Sequence, residues 1–174
     1  ATVSTGNDHA CGLTALGQAY CWGRNGYGQL GDGSTTDAFS PVPVVGGHTF
    51  KSIGAGGNHT CAVDGGGNVY CWGRNDSGQL GDGSTTHRSL PTFVPTGVVG
   101  LIFQTVAAGY AHTCAATPWG SAFCWGANPY GQLGDGTNQN RTSLVQVPGL
   151  AGVTQLSLGG NHTCAVEGSG NTYC

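Results

Sequence analysis

Eight cysteines carry the clearest chemistry in this 174-residue chain. They fall into pairs at one spacing, Cys-x9-Cys: Cys11/Cys21, Cys61/Cys71, Cys114/Cys124 and Cys164/Cys174. Such thiols can be oxidised to disulfides, bind a metal, or stay reduced and buried. Zinc ribbons and fingers draw on cysteines roughly two to four residues apart, a spacing absent here. In the stretch from Cys61 to Cys71 the centre is Gly66, and Val63 mirrors Val69. A hairpin folded about that glycine sets Cys61 opposite Cys71. A non-hydrogen-bonded antiparallel pair holds its Cα atoms about 4.5 Å apart, within disulfide reach. The expectation is one cross-strand disulfide per repeat, each adding roughly 2–3 kcal/mol, with metal binding and reduced thiols as the rival readings.

Other chemically capable residues recur with the cysteines. His9, His59, His112 and His162 each stand two residues before a first cysteine. They could ring a channel and hold a metal or anion, but no acidic partner keeps a fixed spacing to them, so a hydrogen-bonding role between repeats is the better expectation. Asp32, Asp82 and Asp135 lie in Gly-Asp-Gly loops. Calcium needs six to eight oxygens with several carboxylates among them, and one Asp per loop fits a turn cap instead. Trp22, Trp72 and Trp125 follow the second cysteine of their repeats and read as packing residues rather than sugar-stacking platforms.

Positions that vary inside the fixed unit are the candidates for partner contact. Arg24, Tyr27, Arg74 and Tyr130 precede the recurring Gly-Gln-Leu-Gly-Asp-Gly, and Trp119 replaces a glycine-rich hairpin tip. Arg, Tyr and Trp are favoured at interfaces; solvated loop decoration is the alternative. Four N-x-S/T sequons occur, at Asn58, Asn75, Asn140 and Asn161. The loop pair, Asn75 and Asn140, are the candidates for glycan, whereas Asn58 and Asn161 read as turn formers.

These residues must be positioned by the elements around them. Steps between first cysteines are 50, 53 and 50 residues, and short strand-like runs alternate with Gly, Asn and Asp turns. No segment holds apolar residues at helical spacing for three turns, so the chain reads as all-β. A period near 50 built from short strands points to propeller blades. The stretches His59-Thr60-Cys61-Ala62-Val63, Val69-Tyr70-Cys71-Trp72-Gly73-Arg74-Asn75 and Gly78-Gln79-Leu80-Gly81-Asp82-Gly83 resemble the regulator of chromosome condensation (RCC1) repeat. That resemblance implies a β-propeller of seven blades and extends over essentially the whole chain. Repeats start near 1, 51, 104 and 154, giving a single array over residues 1–174 of about three and a half units.

A closed ring takes roughly four to eight blades. The chain therefore reads as part of a longer protein, or as a unit whose copies complete a ring, half of a seven-bladed one by this count. Its lack of Met and its patterned start fit a processed or excerpted chain. Net charge is −3 with only five Lys and Arg, which disfavours a phosphate-tracking nucleic-acid binder. No apolar run approaches the ~20 residues of a membrane helix. No nucleophile–base pair, phosphate cradle or metal cluster is visible, so neither an enzyme nor a cofactor is expected. Disulfides imply an oxidising compartment, hence a secreted or cell-surface protein. That argues against the nucleotide exchange of the founding family member, and the resemblance extends to secreted bacterial members that act on proteins. The expected function is a scaffold binding a macromolecule, protein in the first place and glycan in the second, with self-association completing the propeller or building a filament. The alternative is a structural subunit of an extracellular filament.

Overall fold

The computed structural model describes residues 1–174 and is built entirely of strands and turns. The first blade comprises β1 (Thr2–Thr5), β2 (His9–Leu13), β3 (Ala19–Gly23) and β4 (Ala38–Pro43). The second comprises β5 (Phe50–Ala55), β6 (His59–Asp64), β7 (Val69–Gly73) and β8 (Arg88–Phe93). The third holds β9 (Thr105–Ala108), β10 (His112–Ala116), β11 (Ala122–Gly126) and β12 (Arg141–Gln146). A fourth sheet contains β13 (Val153–Leu158), β14 (Thr163–Glu167) and β15 (Thr172–Tyr173). Every sheet is an antiparallel meander in chain order. The first strands β1, β5, β9 and β13 pack side by side, forming the inner wall of an arc.

Hairpin register follows the cysteine spacing. Cys11, Cys61 and Cys114 pair across from Cys21, Cys71 and Cys124. Disulfides join these pairs and Cys164–Cys174, with Cα separations of 4.1–4.2 Å, and no cysteine is free. Each bond closes a β-hairpin whose tip carries a glycine at positive φ. Gly67 (φ 88°) shows why: its carbonyl accepts the N–H of Phe103 at 2.9 Å, which ties the tip to the next blade. The carbonyls of Gly17 and Gly120 accept from Phe50 and Val153 in the same way.

The core lies between blades rather than within them. One layer joins Cys11, Leu13, Cys21 and Leu30 of the first blade to Phe50, Ile53, Ala62 and Trp72 of the second. The next joins Val63, Val69, Leu80 and Val94 to Phe103, Val106, Ala115 and Trp125. At roughly 25 cal/mol per Å² of buried apolar surface, these layers make stacking the main source of cohesion.

Residues from Val153 onward hold three strands, the innermost included, in a fourth sheet. Three four-stranded blades and this three-stranded sheet make a partial propeller, in line with the count of about three and a half repeats.

Candidate functional site

Antiparallel alternation sends the β1–β2 and β3–β4 loops to one end of each blade and the hairpin tips to the other. The long β3–β4, β7–β8 and β11–β12 loops are built on a buried asparagine. Asn25, Asn75 and Asn128 accept the N–H of Leu30, Leu80 and Leu133 at 2.9 Å and donate Nδ2–H to Asp32, Asp82 and Asp135 at 3.1 Å. Their own N–H groups go to Asp37 Oδ1, His87 Nδ1 and Asn140 Oδ1, three different side chains in one role. Each loop aspartate also accepts the N–H two residues on, in an Asx turn. Burial alone would raise the carboxyl of Asp135, but bonds from Thr137, Arg141 and Asn128 outweigh it and hold it at about 2. Asp82 is lowered by the same balance of burial against Ser84 and Arg88.

On this rigid frame the variable residues meet. The Arg74 guanidinium lies 5.2 Å from the centroid of the Tyr27 ring and donates Nε–H to Asp76 at 2.6 Å. His87 sits edge-on to Tyr27 with centroids 5.2 Å apart, and its Nε2 lies 3.2 Å from Asp76 Oδ1. Since Nδ1 of His87 accepts the Asn75 N–H, Nε2 carries the proton. The hydrogen bond to Asp76 is the largest of the effects that raise the Arg74 pKa. The result is a bridge of Tyr27, Arg74, Asp76 and His87 across two blades.

Of the sequence candidates, Tyr27 and Arg74 are thus brought into contact. Arg24 is exposed on the same face, 3.6 Å from Asp8, and Tyr130 stands there 74% exposed on the third loop. Trp119 is 68% exposed at a hairpin tip, on the opposite end of the arc. Sequence reasoning missed Asp76, His87 and Tyr110. Tyr110, half exposed beside Gly57, stands where the other repeats have Asn7, Gly57 and Gly160 and lines the inner mouth of this face. Its departure from the repeat was the available signal.

One sequence candidate is corrected. Asn75 is 0% exposed, and its amide nitrogen contacts Asp82, Ser84 and Thr86. An amide so engaged offers no nitrogen for a glycan. Asn140 is exposed and uses only Oδ1, as acceptor for Asn128.

The recurring histidines link blades. Thr60 donates its hydroxyl to the Gln29 carbonyl at 2.9 Å, so His9 Nε2 must donate to Thr60 Oγ1, also at 2.9 Å. The same relay runs from His59 to Thr113 to Gln79 and from His112 to Thr163 to Gln132. Burial lowers His9 and His112 to about 4 and His59 to about 3, so all three are neutral.

Two family models, each described as the regulator of chromosome condensation (RCC1) repeat, match this chain. One covers residues 17–63, 66–116 and 120–166, and the other residues 1–29, 50–79 and 103–132. The chain belongs to the RCC1 repeat family. It is similar to the ultraviolet-B receptor UVR8 of Arabidopsis thaliana, with 36% identity over 98% of the chain and 40% of the receptor. Similarity to HERC4 of Rattus norvegicus, a probable E3 ubiquitin-protein ligase, is 34% over 98% of the chain and 17% of that protein. Among solved structures it resembles Prp20p of Saccharomyces cerevisiae, described with its binding to Gsp1p and histones. The TM-score is 0.76 at 22% identity, covering 94% of this chain and 42% of Prp20p. The chain thus spans less than half of these RCC1-repeat proteins.

Proposed function

We propose that this RCC1-repeat arc is a non-enzymatic extracellular scaffold that binds a protein through its loop face, centred on Tyr27 and Arg74. The observation that carries the reading is the cross-blade bridge of Tyr27, Arg74, Asp76 and His87. It is assembled from positions that differ between repeats, on loops whose frames are the same. A held aromatic with a neighbouring guanidinium is the type of feature that dominates binding energy at protein interfaces. Arg24 and Tyr130 flank it, and Trp119 is a second, separate contact. Four disulfides support an oxidising compartment, secreted or cell-surface, in which Asn140 can carry a glycan. The loop face mixes arginines with aspartates that pair with them, which favours a protein over nucleic acid or glycan. Prp20p, whose binding to Gsp1p and histones is described, supplies a precedent for protein recognition on this fold.

The second reading, a structural subunit of an extracellular filament, is favoured by the low share of charged residues, 7%, and a disulfide in every repeat. One experiment separates the two. The protein is crosslinked in the extracellular fraction of its source, as wild type, as Tyr27→Ala/Arg74→Ala and as Trp119→Ala. Scaffold function predicts one protein retained by wild type and Trp119→Ala and lost at least ~30-fold in the double variant, about 2 kcal/mol. Equal retention by all three refutes the loop-face reading, and self-polymerisation without partner supports the filament.

A further inference from the structure

Four arginines stand on the loop face, and their guanidinium groups are used differently. Arg88 turns Nε and Nη2 onto Asp82, at 2.9 and 2.8 Å, and Arg141 turns the same two nitrogens onto Asp135, both at 2.8 Å. These aspartates are almost fully buried, so both arginines belong to the frames of their loops. Arg24 hangs 3.6 Å from Asp8, with both side chains more than half exposed. Arg74 differs from all three, because it is fixed in place with its outer edge unused.

The Nε–H of Arg74 goes to Asp76 Oδ2, and the other oxygen of that carboxylate faces the protonated Nε2 of His87. Asp76 is specific to the second blade; the first and third loops have Gly26 and Pro129 at its position. The Tyr27 ring covers one face of the guanidinium. The group is therefore held along one edge and one face, while Nη1 and Nη2 have no acceptor in the protein. Those two nitrogens present parallel N–H donors in one plane, on a side chain that is 32% exposed. Tyr110 approaches from the third blade. Its phenol, like that of Tyr27, acts electrostatically on Arg74, and its ring stands half exposed.

We propose that Arg74, flanked by Tyr27 and Tyr110, receives a carboxylate of the partner protein, on a side chain or at a chain end. This inference rests on the loop-face reading and names the partner's chemistry at that site. A partner that covers the Tyr27–Arg74 pair strips water from charged donors, and donors buried without acceptors oppose binding. A carboxylate brings two oxygens in one plane at the spacing of the Nη edge, whereas a peptide carbonyl or a carboxamide brings one. The phenols of Tyr27 and Tyr110 supply further donors around it. Asp76 sets the limit on charge. A phosphate group would bring up to two negative charges beside that carboxylate, where a carboxylate brings one. Tyr110, absent from the equivalent positions of the other repeats, is then a specificity residue.

The probes are the doubly capped tripeptides Gly-Glu-Gly and Gly-Gln-Gly, N-acetyl-triglycine with its free carboxylate, and inorganic phosphate. Each is titrated into the nitrogen-15-labelled protein, and the backbone amides of residues 74–77 are followed by NMR. The expected result is a saturable shift with at least one carboxylate peptide, at least about fivefold tighter than Gly-Gln-Gly. The tighter of the two carboxylates names its source. Arg74→Lys keeps the charge but not the paired donors and should weaken that peptide at least about fivefold. Tyr110→Phe removes only a hydroxyl from a half-exposed ring and should weaken it at least about threefold. The Tyr110 variant and the contrast between Glu and Gln keep the test decisive if Arg74→Lys does not fold. Equal binding of Gly-Gln-Gly and the carboxylates, phosphate as the tightest probe, or binding unchanged in both variants overturns the proposal. Carboxylate selectivity without a crosslinked partner counts against the loop-face reading alone. A crosslinked partner without carboxylate selectivity counts against this inference alone.

Discussion

Acid should loosen the seams between blades before it touches anything else. His9, His59 and His112 are buried and neutral, lowered by burial to about 4, 3 and 4 from an ordinary 6.5. A base whose pKa is depressed on folding binds more protons when unfolded. Stability is then complete above 6.5 and falls as pH drops toward the folded values near 4. At pH 5 each unfolded imidazole is almost fully charged while its folded counterpart is almost fully neutral. The difference of about 1.5 logarithmic units corresponds to about 2 kcal/mol per histidine, or about 6 kcal/mol for three. That rivals the whole stability of an ordinary domain, roughly 5–15 kcal/mol. The carboxylates lowered by their partners, Asp82 and Asp135, titrate further into acid, so they leave this window clean. Urea unfolding followed by tryptophan fluorescence at pH 8 and pH 5 measures the difference. His59→Gln keeps a donor for Thr113 but cannot titrate, and should reduce the loss to about 4 kcal/mol. A flat profile between pH 8 and pH 5, or a His59→Gln protein that keeps the full loss, would refute the reasoning.

Other expectations test the remaining parts. Thr60→Val removes the hydroxyl that serves both His9 and Gln29 and should cost about 2–3 kcal/mol, seen as a lower Tm by calorimetry with little change from Ala10, which lacks the hydroxyl, to Ser. Stepwise reduction with mass spectrometry should open Cys164–Cys174 first, since Cys174 is exposed while the cysteines of the other three bonds are buried. Two alkyl groups therefore appear before any further uptake. Asn75→Ala, which loses bonds to Asp82, Ser84, Thr86 and Leu80, should destabilise by about 3 kcal/mol, measured by urea unfolding. In secretory expression, glycosidase treatment should shift the mass of wild type but not of Asn140→Gln.

What the sequence disclosed was what is local. Cysteine register was legible because Val63 and Val69 mirror about Gly66, and a hairpin needs no distant partner. The histidine relay was visible only as a recurrence, because its partners lie 51 to 54 residues away and meet once blades stack. Asn75 misled because a sequon is defined over three residues, whereas its burial is decided by Asp82 to Thr86. The partial last unit was legible in the repeat count, and because strands run from the inside outward its 22 residues from Val153 bring the inner strand first. Tyr27 and Arg74 were found as variants within the repeat. Their bridge also needed Asp76 and His87, and in sequence His87 looks unrelated to Asp37 and Asn140, whose role it shares.

The division between covalent hairpins and non-covalent seams sets how the chain responds to pulling. Each disulfide shunts ten residues of backbone through a Cα separation of about 4.1 Å, hiding about 30 Å of contour per blade at the length of an extended residue. Tension therefore passes across every hairpin without unravelling it, while the relays and apolar layers between blades are left to yield. An oxidised arc should lengthen in steps about one-fifth shorter than a reduced one, each step the parting of a neighbour, with the cross-linked cores riding through as unextended beads.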